Sequence, residues 1–467
     1  MDAETAAELR RAPYVWANAS LPAGVSRPPS FSERPCADGG ASTTPSSRTV
    51  EKIDASELSY EDFVRQYMLA NRPVLIHGVA RGWRCSAEWV REDGSPNLGF
   101  LKRAFAARAV KLTWCAGRGR TARLRRKEAS FAEFIDWWEA HASGEGDEGE
   151  GVGAEGVWYM KDWHLRLEAP GYDAYVVPRY FAEDWTNRAF DLRRRECGLR
   201  GERTSAGAEY RFCYAGPRGA FTPVHADVLR SFSWSCNVCG RKRWRLLPPE
   251  FTHLLYDKDG RELAPSFDCE DAERFPGLRE ARSVALECDQ GAGAALFVPS
   301  GWFHEVENTT ECISINHNWI NHLNLGWALE HVARERDAAR LEAGEPEAKV
   351  EDRLEAVGGT GFRRLFLILL AVVKDELRCH FGQKRRRREE GRGERGGGAE
   401  EEEGERCALE RALKMRRAGA ALREMAERAP LLFVAPEYGD PFESGARFPH
   451  PQKLADYLEE TFAIDGD

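Results

Sequence analysis

The stretch from Tyr210 to Trp319 consists of short apolar and aromatic runs separated by Gly, Pro and Asp, a pattern typical of β-strands. One run ends in the tripeptide His225-Ala226-Asp227. Residues i and i+2 of a strand project from the same face, so His225 and Asp227 can bind one ion together. A metal site at this position would need a third ligand from another strand.

A second histidine, His304, is a candidate third ligand from another strand. It follows the apolar run Ala294–Val298 and the turn Pro299–Gly301, within the aromatic-rich segment Trp302–Val306. A lone His-x-Asp is a weak signal, because such pairs also occur on surfaces and as caps. Two histidines and one carboxylate on one face of an octahedron leave three positions open, as in non-haem Fe(II) oxygenases. The three residues therefore indicate a catalytic metal centre.

Lys242 begins the segment Lys242–Leu247, which is otherwise typical of a buried strand. A buried ammonium is costly unless an anion meets it. A dicarboxylate cosubstrate would supply that anion. The alternative is a solubilising lysine on an edge strand, and the residue alone leaves both interpretations open.

The string Cys236-Asn237-Val238-Cys239 has the C-x-x-C form of redox and zinc sites. In a strand, however, residues three apart face opposite sides, and neither a second cysteine pair nor a helix start accompanies the motif. We therefore expect two buried strand cysteines. Hydrolase signatures are missing from the sequence, which contains neither G-x-S-x-G nor H-E-x-x-H.

Five further strings extend these signals: Tyr159–His164, Tyr214–Pro217, Ser231–Ser235, Asn237–Lys242 and Ser314–Trp319. With them, the chain resembles the Jumonji-C (JmjC) family of Fe(II)- and 2-oxoglutarate-dependent oxygenases over roughly residues 55–325. The resemblance implies a mainly β core, a double-stranded β-helix of the jelly-roll or cupin-like type, with N-terminal and C-terminal α-helices around it. It also implies Fe(II) bound by the catalytic residues His225, Asp227 and His304, with 2-oxoglutarate as cosubstrate and molecular oxygen as oxidant.

The same resemblance assigns contacts to the cosubstrate. The far carboxylate of 2-oxoglutarate is expected to meet Lys242, Tyr159 and Thr222. Asn316 occupies a position at which relatives place a polar contact to the cosubstrate, and Ser235 belongs to the same group. The alternative for Asn316 is that it ties down the end of a strand.

The remaining sequence divides by composition. Residues 1–50 are rich in Pro, Ser, Gly and Thr and are predicted as a disordered leader. Three parts are predicted to follow: an N-terminal α/β part that packs on the barrel at 51–209, the JmjC catalytic core at 210–322, and a C-terminal helical region at 323–467 with a low-complexity linker at 384–406.

Within these parts, apolar spacing predicts a helix over Tyr60–Leu69 with Ser59 as its cap, and helical structure over Trp327–Leu341 and Val350–Phe381. Residues 250–283 are expected to form an insertion between barrel strands that shapes the substrate entrance. The basic loop Arg118–Lys127 is interpreted as a solvated hairpin tip, with contact to an acidic partner or nucleic acid as the alternative.

The formal net charge of −9 and the pI near 5.8 argue against nucleic-acid binding as the main task and favour a protein or small-molecule substrate. The twelve cysteines show no disulfide framework, and Met1–Ser20 lacks a signal-peptide core, so we expect a cytoplasmic protein. The basic run Lys384–Arg388 has the composition of a nuclear-targeting patch, so a nuclear fraction is the alternative. The longest apolar run, Leu365–Val373, is too short to span a bilayer, and no membrane partner is expected.

By resemblance, the expected reaction is hydroxylation of a lysine side-chain carbon on the eukaryotic translation termination (release) factor. Demethylation of N-methyl-lysine, on a histone or another protein, runs through the same oxidising step, so residues near the iron do not separate the two. A non-catalytic JmjC binding module is an alternative of another class and predicts no 2-oxoglutarate consumption. A cupin-like isomerase with Mn or Zn predicts no oxygen requirement.

Overall fold

The structure is a computed structural model that describes residues 48–115, 125–143, 156–196, 209–343, 347–358, 361–390, 398–429 and 451–462. The leader predicted at 1–50 lies almost entirely outside the described residues, and so does most of the basic loop predicted at 118–127.

Thirteen strands form two sheets in the described part of the chain. They are β1 Glu51–Asp54, β2 Val74–His77, β3 Ala109–Cys115, β4 Arg126–Ser130, β5 Val157–Trp163, β6 Arg211–Gly216, β7 Phe221–His225, β8 Phe232–Cys239, β9 Lys242–Leu247, β10 Leu286–Gln290, β11 Ala295–Val298, β12 Phe303–Asn308 and β13 Cys312–Trp319. Nine strands form one sheet in the order β1-β2-β11-β8-β13-β6-β5-β3-β4, and four form the other in the order β10-β9-β12-β7.

The two sheets pack face to face over an apolar layer. Leu75 and Leu296 of the nine-stranded sheet pack with Trp244, Leu246 and Val306 of the four-stranded sheet, and all five side chains are buried. Removing such side chains from water is the main stabilising contribution to a fold of this kind. The facing sheets are those of a double-stranded β-helix, so the predicted fold class is confirmed.

The helices are α1 Tyr60–Phe63, α2 Arg84–Glu88, α3 Leu98–Phe105, α4 Phe131–Ser143, α5 Leu165–Glu168, α6 Trp185–Glu196, α7 Leu278–Val284, α8 Leu325–Ala343, α9 Glu347–Gly358, α10 Phe362–Glu390, α11 Gly398–Arg428 and α12 Pro451–Thr461. Helix α1 continues as a π-helical segment, Val64–Leu69. The Ser59 hydroxyl accepts a hydrogen bond from the Asp62 amide at 3.0 Å, so the predicted cap is confirmed.

One prediction for the C-terminal region is confirmed in more detail, and one differs from the structure. The segment Val350–Phe381, predicted as helical, consists of two helices, because α9 ends at Gly358 and α10 begins at Phe362. Three of the four residues from 358 to 361 are glycines, which disfavour a continuous helix. The segment 384–406, predicted as a linker, is helical in its described parts, since α10 extends to Glu390 and α11 begins at Gly398.

The chain divides by contact into two compact units that do not follow chain order. One unit contains the described residues of 48–182 and 210–318, which carry both sheets. The other contains the described residues of 183–209 and 319–467. In this second unit α6 pairs with α10, because Arg188 forms ion pairs with Asp375 and Glu376 at 2.5 and 2.6 Å. The predicted domain boundaries stay predictions.

All ten cysteines in the described part of the chain are free thiols. Cys236 and Cys239 are both buried in β8, as expected for structural strand cysteines. Burial raises the pKa of both thiols, which disfavours the thiolate that redox chemistry needs. No helix of the described residues has the length and apolarity required to cross a membrane.

Gly240 connects β8 to β9 and so carries the chain from the larger sheet to the smaller. Its φ is +77°, and a Cβ there would lie 1.9 Å from the backbone oxygen of Glu311. We expect Gly240→Ala to lower the free energy of unfolding by about 3 kcal/mol, because left-handed strain adds to a backbone overlap.

The matched control for this substitution is Gly219→Ala, since Gly219 has a φ of +86° and open space around the added Cβ. This control should lower the free energy of unfolding by only about 1 kcal/mol, because it adds left-handed backbone strain without an overlap. Urea denaturation of the two variants measures the difference, and equal losses would contradict the explanation.

Candidate active site

His225 is the last residue of β7, and Asp227 follows it in extended conformation. A 3-10 turn, Val228–Arg230, then leads towards β8 and holds Leu229 and Arg230 in the left-handed region, with φ of 58° and 50°. The chain stays extended through Asp227, so its carboxylate remains on the side of the His225 ring. The His-x-Asp pair therefore lies at the end of a strand, and only its histidine belongs to the strand.

Strand β12 places His304 directly opposite His225 in the antiparallel register. The two ring centroids are 4.3 Å apart. One ligand atom from each of His225, Asp227 and His304 lies within 4.8 Å of the others, and no other group of His, Cys, Asp and Glu side chains in the described residues has this spacing. The structure thus brings together the three residues predicted to bind Fe(II).

Both imidazole rings are oriented by a backbone carbonyl two residues earlier. Nδ1 of His225 lies 2.8 Å from the Pro223 oxygen, and Nδ1 of His304 lies 3.1 Å from the Trp302 oxygen. Burial, and then the neighbouring His304, lowers the pKa of His225 to about 3, so this ring is neutral at pH 7. A neutral ring that donates from Nδ1 presents the lone pair of Nε2 to a metal.

Asp227 is held by a residue of the next strand. Its Oδ2 accepts a hydrogen bond of 2.6 Å from the Ser233 hydroxyl, which fixes the orientation of the carboxylate beside the two histidines. Two imidazole nitrogens and one carboxylate oxygen are the donor set of facial-triad Fe(II) centres. The residues present therefore fit the metal that the sequence predicts.

A β-bulge brings Thr222 to the same face as the triad. In a regular strand, Thr222 and His225 would face opposite sides, because they are three residues apart. In β7, however, His225 pairs with His304 and Thr222 pairs with Val306, so three steps on β7 match two on β12. Since His304 and Val306 share a face, Thr222 and His225 do as well.

Lys242 lies on the inner face of the four-stranded sheet, with Trp244 and Leu246 at the following alternate positions. It is 2% exposed, and its Nζ donates a 2.6 Å hydrogen bond to the hydroxyl of Ser314 on β13 of the opposite sheet. Burial lowers the pKa of Lys242. Among the described residues, no carboxylate forms an ion pair with Lys242, so a carboxylate that enters the barrel can supply the missing partner.

The other predicted cosubstrate residues lie close to this ammonium. Asn316 donates to the Ser314 hydroxyl at 3.0 Å. The Tyr159 ring lies 5.9 Å from that of Tyr214, whose centroid is 5.7 Å from Lys242 Nζ. Burial raises the pKa of Tyr159 well above its usual value, so its hydroxyl is a donor at neutral pH. The roles of these residues and of Thr222 in cosubstrate binding stay predictions.

Three residues without a predicted role complete the site: Ser233 orients Asp227, and Ser314 and Tyr214 lie next to Lys242. The available signal was polarity at alternate positions of otherwise apolar strands. Ser235 follows the same alternation. Its Oγ is buried without a hydrogen-bond partner in the described residues, as expected for a group that binds a polar ligand.

Residues 60–324 match the family described as the cupin-like domain. The arginine-specific demethylase JMJ20 of Arabidopsis thaliana is 41% identical over 283 residues, which cover 60% of this chain and 58% of that protein. The 2-oxoglutarate and iron-dependent oxygenase JMJD4 of Mus musculus is 33% identical over 317 residues, covering 67% and 70%. JMJD4 of Homo sapiens is 35% identical over 292 residues, covering 62% and 65%.

The chain spans less than two thirds of the length of two of these three relatives. The family match includes the triad and the residues around Lys242. Fe(II), 2-oxoglutarate and molecular oxygen are the cofactors that these relatives imply. The chain therefore belongs to the cupin-like JmjC family of 2-oxoglutarate- and iron-dependent oxygenases.

Proposed function

We propose that this protein hydroxylates a carbon of a lysine side chain on a protein substrate, the eukaryotic translation termination factor. The observation that carries the chemistry is the triad of His225, Asp227 and His304 in the same barrel as the buried ammonium of Lys242. The substrate is supported by the five strings, which resemble one JmjC member in particular, the lysyl hydroxylase of that factor. On this proposal the protein acts in the cytoplasm, where translation terminates. A fraction of the protein in the nucleus is the alternative.

When bound, Fe(II), 2-oxoglutarate and oxygen supply the oxidising chemistry: one oxygen atom becomes the hydroxyl of the product, the other enters succinate, and carbon dioxide leaves. The protein holds and orients these groups. Nε2 of His225 and of His304 and one oxygen of Asp227 bind the metal, and Ser233 keeps that carboxylate in place.

The far carboxylate of 2-oxoglutarate is expected to bind the ammonium of Lys242 and the hydroxyls of Tyr159 and Thr222. A charge-assisted hydrogen bond in a buried site is strong, so Lys242 fixes the cosubstrate in one orientation. The apolar side chains of Trp244 and Val306 line the same inner face and exclude water from the reacting groups.

The second candidate function is removal of an N-methyl group from a protein side chain. It is favoured by the 41% identity to a plant arginine-specific demethylase. The same oxidation on an N-methyl carbon gives a hydroxymethyl amine, which releases formaldehyde. The position of the target carbon relative to the metal decides between the two, and formaldehyde release distinguishes them directly.

The test is mass spectrometry of the termination factor's N-terminal domain after incubation with the protein, Fe(II), 2-oxoglutarate and oxygen. We expect a gain of one oxygen atom on a lysine, dependent on each of these components. Asp289→Ala, which alters an exposed carboxylate on β10, is a matched control and should give the same yield as the wild type.

Each outcome of this test has a defined meaning. Succinate without oxygen gain on the termination factor keeps the oxygenase and rejects this substrate. Formaldehyde from a methylated arginine or lysine peptide, again without hydroxylation, supports the demethylase. Neither succinate nor product under any of these conditions supports the non-catalytic binding module.

A further inference from the structure

Asp162 lies at an irregularity in β5 beside the candidate active site. Met160 pairs with Ala215 and Trp163 pairs with Cys213, so three steps on β5 match two on β6. The extra residue forms a bulge, and Asp162 has a φ of +57°, in the left-handed region that few non-glycine residues adopt. Strained backbone of this kind is retained where the surroundings fix it, often at functional sites.

The carboxylate of Asp162 is fixed by a residue of the barrel interior. Tyr214 donates a 2.8 Å hydrogen bond from its hydroxyl to Oδ1 of Asp162. Tyr214 pairs in register with Ser314, the partner of Lys242, so this tyrosine belongs to the inner face. Burial raises the pKa of Tyr214 well above its usual value, and the negative charges of Asp162 and of the metal ligand Asp227 raise it further. The Tyr214 hydroxyl therefore lies within the electrostatic reach of both carboxylates.

The second oxygen of Asp162 is open to a ligand. Asp162 is exposed, and no described lysine or arginine nitrogen lies within ion-pair distance of it, although the charge of Lys161 acts on it from further away. The Tyr214 ring lies next to it, since the Tyr214 hydroxyl bonds Oδ1, and the Tyr159 ring lies 5.9 Å from that of Tyr214 in an edge-to-face arrangement. A carboxylate next to aromatic faces is a suitable environment for an organic cation.

The neighbouring residue, Lys161, brings a positive charge to the same two rings. The ammonium of Lys161 lies 6.0 Å from the Tyr159 ring centroid and 5.9 Å from that of Tyr214. These rings are therefore within reach of a cation already. A second cation that enters the barrel would be repelled by Lys161 unless Asp162 balanced its charge.

We propose that Asp162, held by Tyr214, binds the cationic end of the substrate side chain at the mouth of the barrel and so determines which carbon faces the metal. This inference rests on the proposed function, because it assumes a cationic target side chain. Asp162 and Tyr214 are specificity-determining residues and not metal ligands. The same subsite accepts an ammonium or a guanidinium, which are the cationic groups of lysine and arginine.

The test uses n-pentylammonium, which has the length and charge of a lysine side chain, and 1-pentanol, its neutral counterpart. Binding of each to the full chain loaded with Mn(II) and 2-oxoglutarate is measured from the relaxation that Mn(II) induces in the probe's protons. We expect wild type to bind n-pentylammonium in preference to 1-pentanol. Asp162→Asn should weaken ammonium binding at least tenfold and leave 1-pentanol within twofold, because asparagine tolerates the left-handed backbone but carries no charge.

Two further variants make the result specific. Tyr214→Phe removes only the hydroxyl that holds Oδ1, and we expect it to weaken ammonium binding two- to fivefold. Asp289→Asn removes an exposed carboxylate on β10 and should have no effect on binding of either probe. Equal binding of the two probes by wild type, or equal losses in Asp162→Asn and Asp289→Asn, would overturn the inference. Since no turnover is needed, either result leaves the oxygenase proposal to its own test.

Discussion

Replacing Asp227 with alanine should abolish succinate formation from 2-oxoglutarate and the accompanying oxidation of the substrate. Asp227 supplies the only carboxylate of the triad, and without it two imidazoles remain to hold a divalent ion. Loss of a catalytic metal removes several kcal/mol of transition-state stabilisation, and a loss of about 5 kcal/mol corresponds to roughly four orders of magnitude in rate. Succinate quantified by mass spectrometry at saturating Fe(II) measures this effect.

A graded control for this substitution is Ser233→Ala. It removes the hydrogen bond of 2.6 Å to Asp227 Oδ2 and leaves the three ligands in place. We expect it to weaken Fe(II) binding about tenfold, as is usual for residues that orient a metal ligand, and activity should return at high Fe(II). Full turnover by Asp227→Ala at any Fe(II) concentration would refute the assignment of the metal centre.

Replacing Lys242 with methionine should raise the KM for 2-oxoglutarate by roughly 150-fold. The reason is that a buried carboxylate without its cation loses about 3 kcal/mol of binding free energy. The substitution nearly preserves the side-chain volume and removes the charge. Without cosubstrate, the ammonium is 2% exposed and bonded to the hydroxyl of Ser314. The variant should therefore be at least as stable as wild type when 2-oxoglutarate is absent.

This opposite effect on stability and on cosubstrate binding separates a ligand-binding lysine from a structural one. Ser314→Ala is the control, since it removes the hydrogen bond to Nζ but keeps the ammonium, and it should change the KM by less than about tenfold. KM from initial rates and melting temperature without 2-oxoglutarate give the two readouts. A large loss of stability with an unchanged KM would show that Lys242 is only a structural residue.

The sequence was sufficient for features that depend on strand alternation. His225 and Asp227, two positions apart, share a side in the structure, and Lys242 enters the barrel at the start of β9, which is one of the two interpretations that its pattern left open. The capping residue Ser59 and the buried Cys236 and Cys239 were also predictable, because each depends on neighbours a few residues away. In all of these cases the side-chain chemistry and the spacing of residues along a strand or helix determine the feature.

Features that depend on register between distant strands were not predictable from the sequence. Thr222 lies on the triad face only because β7 carries a bulge opposite β12. The bond between Lys242 and Ser314 joins two sheets, and the bond between Tyr214 and Asp162 spans 52 positions of the chain. Such pairings are set by tertiary contacts, which local propensity does not encode.

The division of the helices also follows from contacts between distant segments. Helix α6, which precedes the core in the chain, groups with the C-terminal helices through the ion pairs of Arg188 with Asp375 and Glu376. Neither the amino-acid composition nor the order of the helices along the chain indicated this grouping. The break between α9 and α10, in contrast, was present in the sequence as a cluster of glycines that the apolar spacing of the flanking segments obscured.

Anaerobic calorimetric titration of 2-oxoglutarate into the protein, with and without Fe(II), tests the central claim most directly. We expect a single binding site in the iron-loaded protein, with affinity weaker by roughly 100-fold or more when Fe(II) is omitted or when Asp227 is replaced by alanine. Binding that is equally tight without the metal, or in Asp227→Ala, would contradict a cosubstrate site built on His225, Asp227 and His304.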